Sequence, residues 1–251
     1  MKRVEFKNKR GLTLIGDLYK AKSDHIVIMA HGFMNDRSSQ GRFEQVAERL
    51  NEASYNVLKF DFSGCGESDD DIIELDKEVE DLLSTVEFVK EKGFKNIALF
   101  GNSLGGLVCL KAYSSDVSTM VLTGPITDSM NYDWGKFYSE EKMEELKEKG
   151  YLTMGNQKTG IRKISQDMLD AFSEIDQEEI LKGIDCPVLI IHGDRGEEEK
   201  ELLDRSKKAL KMLPNSSKLK VVEDAAHGIR DQYHIVVELT VDWILNNFEI
   251  E

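Results

Sequence analysis

The chain has 251 residues, of which 40% are hydrophobic and 32% charged, and a formal net charge of −14. That length suffices for one α/β domain, or a domain and a half, with a full core. The acidic balance, with a pI near 4.9, argues against a nucleic-acid surface and against attraction to anionic lipid, and so favours small neutral substrates.

No apolar run is long enough to span a membrane, and Met1-Lys2-Arg3-Val4-Glu5-Phe6-Lys7 lacks the apolar centre of a signal peptide. A cytoplasmic location is expected. Cys65, Cys109 and Cys186 form an odd, scattered set without metal-ligand spacing, which fits reduced thiols, with Cys109 in the core.

Residues 2–7 and 12–19 read as an antiparallel pair of strands around the turn at Arg10-Gly11. His25-Ile26-Val27-Ile28-Met29-Ala30 is nearly continuous in apolar residues, the mark of a strand covered on both faces, and it ends in His31-Gly32-Phe33. A helix carrying Phe43, Val46, Ala47 and Leu50 follows, then a strand over 55–60 and the loop Asp61-Phe62-Ser63-Gly64-Cys65-Gly66-Glu67-Ser68. The next helix, about 72–92, places Leu75, Val79, Leu82, Val86 and Val89 on one stripe and stops at Gly93.

Ile97-Ala98-Leu99-Phe100 then leads into Gly101-Asn102-Ser103-Leu104-Gly105-Gly106, and the apolar run Leu107-Val108-Cys109-Leu110 continues as a helix. This is G-x-S-x-G between a strand and a helix, a turn tight enough to leave the serine hydroxyl projecting alone, with the helix N-terminus facing any negative charge that develops beside it.

Thr119-Met120-Val121-Leu122-Thr123 is a further strand, ending at Gly124-Pro125. Over 126–182 the pattern changes. No strong strand is apparent, charge is dense from Ser139 to Lys149, and Tyr132, Trp134, Phe137 and Tyr138 cluster, so this stretch reads as an insertion into a core of 1–125 and 183–251. Strand–helix alternation resumes with Pro187-Val188-Leu189-Ile190-Ile191, a helix over 199–213, the strand Leu219-Lys220-Val221-Val222, and a last helix carrying Ile235, Val236, Leu239, Trp243 and Ile244. Such alternation predicts an α/β fold with a mostly parallel, doubly wound sheet of eight strands.

Ligands of such sheets bind beyond the carboxyl ends of the strands, which here carry His31, Asp61, Ser103, Asp128, His192, Asp194 and His227. A serine hydroxyl needs an adjacent base to become a nucleophile, and the base needs an acceptor to fix its tautomer. Ser103, an acid near 194 and His227 supply those types in the order serine, acid, histidine. His31 and His192 each precede a glycine and read as structural hydrogen-bonding groups, while His25 and His234 suggest no role. Ser68-Asp69-Asp70-Asp71 reads as a solvated helix start rather than a metal site. The same holds for Glu197-Glu198-Glu199, unless one of them is the acid.

Together the motifs Gly101-Asn102-Ser103-Leu104-Gly105-Gly106, His31-Gly32-Phe33, Phe60 to Ser68, Ile191-His192-Gly193-Asp194 and Ala226-His227-Gly228 resemble the α/β-hydrolase superfamily. Within it the chain looks most like the small bacterial cinnamoyl/feruloyl-type carboxylesterases, which insert a cap of similar size at the position of 126–182. The resemblance implies Ser103 as nucleophile, His227 as base, the N–H groups of Phe33 and Leu104 as oxyanion hole, and no metal or organic cofactor. Such enzymes usually carry their acid where this chain has Gly196. Asp194 is the expected third member, with Glu197 and Asp128 as alternatives. Tyr132, Trp134, Phe137 and Tyr138 either line a substrate pocket or form the cap's own small core.

The activity so implied is hydrolysis of carboxylic esters of small or aromatic acyl groups through an acyl-enzyme on Ser103. Thioesterase, acylglycerol lipase, amidase or aminopeptidase chemistry would use the same residues, and a non-catalytic binding protein of the same fold is the alternative of another class. The expected partner is a small-molecule ester, with no nucleic acid or membrane; a homodimer is left open beside a monomer.

Overall fold

A computed structural model describes residues 1–156 and 160–250. The chain begins with β1 (Lys2–Lys7), β2 (Thr13–Tyr19), β3 (His25–Ala30), α1 (Arg42–Glu52), β4 (Asn56–Phe60), β5 (Ile72–Ile73) and α2 (Leu75–Glu91). It continues through β6 (Asn96–Asn102), α3 (Leu104–Lys111), β7 (Val117–Thr123), α4 (Trp134–Phe137), α5 (Glu140–Lys149), β8 (Tyr151–Asn156), β9 (Gly160–Ser165), α6 (Gln166–Glu174) and α7 (Gln177–Leu181). The last elements are β10 (Val188–Gly193), α8 (Glu197–Ala209), β11 (Lys218–Val222), a 3-10 turn at Arg230–Gln232 and α9 (Tyr233–Asn247).

The main sheet has eight strands in the order β1-β2-β4-β3-β6-β7-β10-β11. β1 and β2 run antiparallel, as does β2 with β4, and the pairings from β4 to β11 are parallel. The alternation of side chains across each strand sorts the core into two layers. Ile26, Ile28, Leu58 and Leu99 pack with Leu82, Val86, Leu107 and Val108 of α2 and α3. Val27, Met29, Ala98, Phe100, Val121 and Ile191 face the other way, onto Phe43, Val46 and Leu50 of α1 and Val236 and Ile244 of α9. β3 is central in the sheet and covered by a helix layer on each face, and this double burial is why it reads as an unbroken apolar run.

Residues 126–182 are inserted between β7 and β10, and here the structure departs from expectation. The stretch thought to lack a strong strand contains the β8/β9 hairpin, whose buried Leu152 and Ile164 are cross-strand partners. Its third strand comes from outside the insertion: Ile72 and Ile73, expected to open a helix, pair in parallel with Lys163 and Ile164, so α2 starts only at Leu75. Tyr138, Leu146, Leu169 and Phe172 join the α2/α3 layer of the core and seat the cap on that side. α8 starts at Glu197, two residues before expectation, because Gly196 at φ +95° turns the chain into the helix. Among the described residues no helix is long and apolar enough to cross a membrane.

Candidate active site

Ser103 sits between β6 and α3 at φ 55°, ψ −118°, a backbone state that a non-glycine residue adopts only when its surroundings enforce it. The elbow is closed by a mutual approach of two glycine-bearing segments. A Cβ on Gly101 would lie 2.6 Å from the Gly105 carbonyl oxygen, and one on Gly105 would lie 2.2 Å from that of Ala30. The Ser103 N–H donates to the Thr123 carbonyl at 2.8 Å, and Asn102 Nδ2 donates to Thr123 Oγ1 at 2.8 Å, tying the turn to β7. Ser103 itself remains partly exposed.

His227, in the loop after β11, completes the contact. Its Nε2 lies 3.0 Å from Ser103 Oγ, and its Nδ1 lies 2.6 Å from Glu199 Oε2. A carboxylate can only accept, so the hydrogen sits on Nδ1 and leaves Nε2 free to accept the serine proton. Burial opposes the charged imidazolium, yet the hydrogen bond and charge of Glu199, reinforced by Glu198, outweigh it and raise the His227 pKa above its ordinary value.

Glu199 is the residue that the sequence left open only as one of three adjacent glutamates and did not single out. As the third residue of α8 its side chain leans back toward the helix start and the end of β10. It is 1% exposed. Burial alone would push its pKa up, but hydrogen bonds from His192 and His227 reverse this and bring it down to about 2. Its Oε1 accepts from the Gly193 N–H at 2.8 Å and from His192 Nδ1 at 2.9 Å.

The three acids expected at this position lie elsewhere. Asp194 Oδ1 accepts the Asp224 N–H at 2.7 Å, on the outer loop. Asp128 pairs with Arg205 at 3.3 Å, and Glu197 is exposed at the start of α8. The expectation of Asp194 is therefore corrected: the loop turns its carboxylate away from the imidazole, while the first turn of α8 carries Glu199 beneath it.

His31 is fully buried and has the structural role expected. Its Nδ1–H donates to the Gly32 carbonyl at 2.9 Å, and its Nε2 accepts the Phe62 N–H at 3.3 Å. The Gly32 carbonyl also accepts the Asn35 N–H at 3.1 Å, so the trans peptide that follows aims the Phe33 N–H to the opposite side. A Cβ at Gly32 would lie 3.3 Å from Ser103 Cβ, which places this peptide beside the Ser103 side chain. Leu104 opens α3, where backbone N–H groups lack intrahelical acceptors. Asp61 shapes the neighbouring loop, accepting the N–H groups of Arg37 at 2.6 Å and Glu67 at 2.9 Å.

Between the cap and Ser103 lies a cavity of about 280 Å³, open to solvent on one side, and all four aromatics singled out in the sequence line it. Tyr132 and Trp134 have ring centroids 4.9 Å apart, and Trp134 meets Phe172 edge-on at 5.3 Å. Phe137 is at the rim, 62% exposed, and Tyr138 is buried. Phe172, Met154 and Ile126 complete the apolar wall. One carboxylate reaches it: Glu198 Oε1 accepts the Tyr132 hydroxyl at 2.8 Å, linking cap to α8.

An elbow serine and a histidine at the ends of a mostly parallel eight-stranded sheet, under an inserted cap, define an α/β-hydrolase. Residues 21–174 match the model of the serine aminopeptidase (S33) family of hydrolases, and the chain belongs to that family. The fold is similar to that of Est1E from Butyrivibrio proteoclasticus, solved with ferulic acid bound, at 22% identity, 97% of this chain, 98% of that one and a TM-score of 0.77. It is also similar to the esterase EaEST from Exiguobacterium antarcticum, at 19% identity, coverage of 97% and 99%, and a TM-score of 0.74. A Pyrococcus furiosus esterase matches at 22% identity, coverage of 98% and 90%, and a TM-score of 0.70.

Proposed function

We propose that the protein is a serine-dependent carboxylic ester hydrolase acting on small or aromatic acyl groups. The observation that carries this reading is the His227 imidazole, 3.0 Å from Ser103 Oγ on one side and 2.6 Å from Glu199 on the other. His227 takes the Ser103 proton as the oxygen attacks the ester carbonyl, and the Phe33 and Leu104 N–H groups hold the oxyanion. Proton return from His227 to the alkoxide expels the alcohol. Water, deprotonated by His227, then attacks the acyl-enzyme and frees the acid. The aromatic wall fits a flat or short apolar acyl group, and the relative solved with ferulic acid supports that choice.

The test is labelling with a fluorophosphonate probe together with Ser103→Ala. Label on Ser103 and loss of p-nitrophenyl ester turnover in a folded Ser103→Ala protein are expected; a folded, unlabelled protein without turnover is the result of a binding protein. A panel of esters, thioesters and amides of graded chain length, hydroxycinnamates included, separates this reading from thioesterase, lipase, amidase and aminopeptidase chemistry on the same residues.

A further inference from the structure

A second histidine is built into the acid's environment. His192, the fifth residue of β10, is fully buried, and its two ring nitrogens meet two different partners. Nδ1 lies 2.9 Å from Glu199 Oε1, and Nε2 lies 2.9 Å from the buried Ser206 Oγ. Ser206 Oγ is in turn 3.3 Å from Thr127 Oγ1. Ser206 stands seven residues after Glu199 on the same buried stripe of α8, so one helix presents both groups to one imidazole. Glu199 thus sits between two histidines, with Oε2 on His227 and Oε1 on His192 and the Gly193 N–H.

We infer that His192 is a positioning residue for the reaction: held by Ser206, it fixes the acid on α8 so that Oε2 faces His227, replacing the rigidity that a loop acid next to β10 would have had. The inference rests on the reading of Ser103, His227 and Glu199 as the catalytic set. A glutamate swings about one more bond than an aspartate, and its side chain pays more rotamer entropy when fixed. Donors on Oε1 remove that freedom. They also share the carboxylate's negative charge, which moderates its pull on the His227 proton.

Three variants test this. In His192→Leu the donor to Oε1 is lost, and kcat falls about ten- to a hundredfold, the usual scale for a buried hydrogen bond to a charged group. The acidic limb of kcat/KM also moves to higher pH, because the less-shared charge on Glu199 holds the His227 proton more tightly. The other charged groups acting on His227, Glu198 and Arg42, are the same in both proteins. His192→Asn keeps a donor at the place of Nδ1 and restores both rate and limb. Should the leucine variant fail to fold, Ser206→Ala, which releases Nε2, moves the limb in the same direction by less.

A folded leucine variant whose limb stays in place, or an asparagine variant as slow as the leucine one, overturns the inference. Ser103→Ala, run beside them, separates this from failure of the catalytic reading, since turnover without Ser103 sinks that reading alone. In that case the downfield proton resonance of His227 Nδ1–H still reports the geometry: it shifts in His192→Leu if His192 sets Glu199, and stays put if it does not.

Discussion

Replacing Glu199 by glutamine changes one charge and almost no volume, and its neighbours dictate how the amide must sit. The Gly193 N–H can only donate, and it points at Oε1 from 2.8 Å. The amide oxygen must therefore take that end, which turns the NH2 group toward His227 Nδ1. Two donors cannot face each other, so the imidazole moves its hydrogen to Nε2, pointing at Ser103 Oγ. That tautomer cannot accept the serine proton. Exchange of a triad acid for its amide costs about 10,000-fold in kcat through this effect, or about 5.4 kcal/mol of barrier. Asp194→Asn is the control, expected within about twofold of the parent, because Asp194 only receives the Asp224 N–H on an outer loop. The assay is steady-state hydrolysis of p-nitrophenyl acetate, with thermal unfolding of each variant to verify folding. A glutamine variant retaining more than about a tenth of the activity, or a larger loss in Asp194→Asn, refutes the assignment of Glu199 and the tautomer argument with it.

Three further outcomes are expected. Because the proposed reaction needs His227 unprotonated and its pKa is raised, kcat/KM should fall on acidification with an apparent pKa above the ordinary histidine value of about 6.5; a limb below that value contradicts the Glu199 pairing. Glu78 is buried on α2 with neither carboxylate oxygen hydrogen-bonded among the described residues, and burial, with the neighbouring charge of Asp81, pushes its pKa well up. A raised carboxyl pKa means that folding is penalised once pH exceeds the unfolded value of about 4.3. Glu78→Gln should therefore stabilise the protein in urea at pH 7 by about 1 to 3 kcal/mol, an advantage that vanishes below about pH 4. Tyr132→Phe removes the hydroxyl that joins the cap to Glu198, and should raise KM about two- to tenfold with kcat little changed, as measured on an aromatic ester.

The sheet was legible because burial on both faces leaves a plain trace: β3 and β6 must satisfy two apolar layers at once, and their sequences show it. The elbow was legible because its glycines are demanded by backbone contacts that no other residue fits. The cap was less so. β8 and β9 are half-exposed strands with Thr153 and Lys163 paired on one face and Leu152 and Ile164 adjacent to them on the other, and their third strand is a two-residue partner, β5, lying about ninety positions upstream. Nothing local in Ile72-Ile73 distinguishes a short strand from the first turn of α2, so tertiary pairing decided that boundary. Glu198 and Phe172, which shape the pocket, carried no signal of their own until the fold brought α8 and α6 around Ser103.

The acid is the instructive case, since its signal was present in a different period from the one searched. Counting from the end of β10 leads to Gly196 and then to Asp194, the nearest carboxylate, but proximity in a loop says nothing about direction. The three glutamates that open α8 differ in phase. Glu199 lies three, four and seven positions before Leu202, Leu203 and Ser206, all on the buried stripe, whereas Glu197 and Glu198 fall off it. A charged residue on the buried side of a helix must be paired, and one in the first turn leans back toward the strand it follows. Those two requirements alone place Glu199 under the end of β10, where Gly193 and His192 supply the donors that keep it ionised. The end of β10 offers such donors to a glutamate carried on a helix. In this chain the histidine of the His192-Gly193 pair provides one of them.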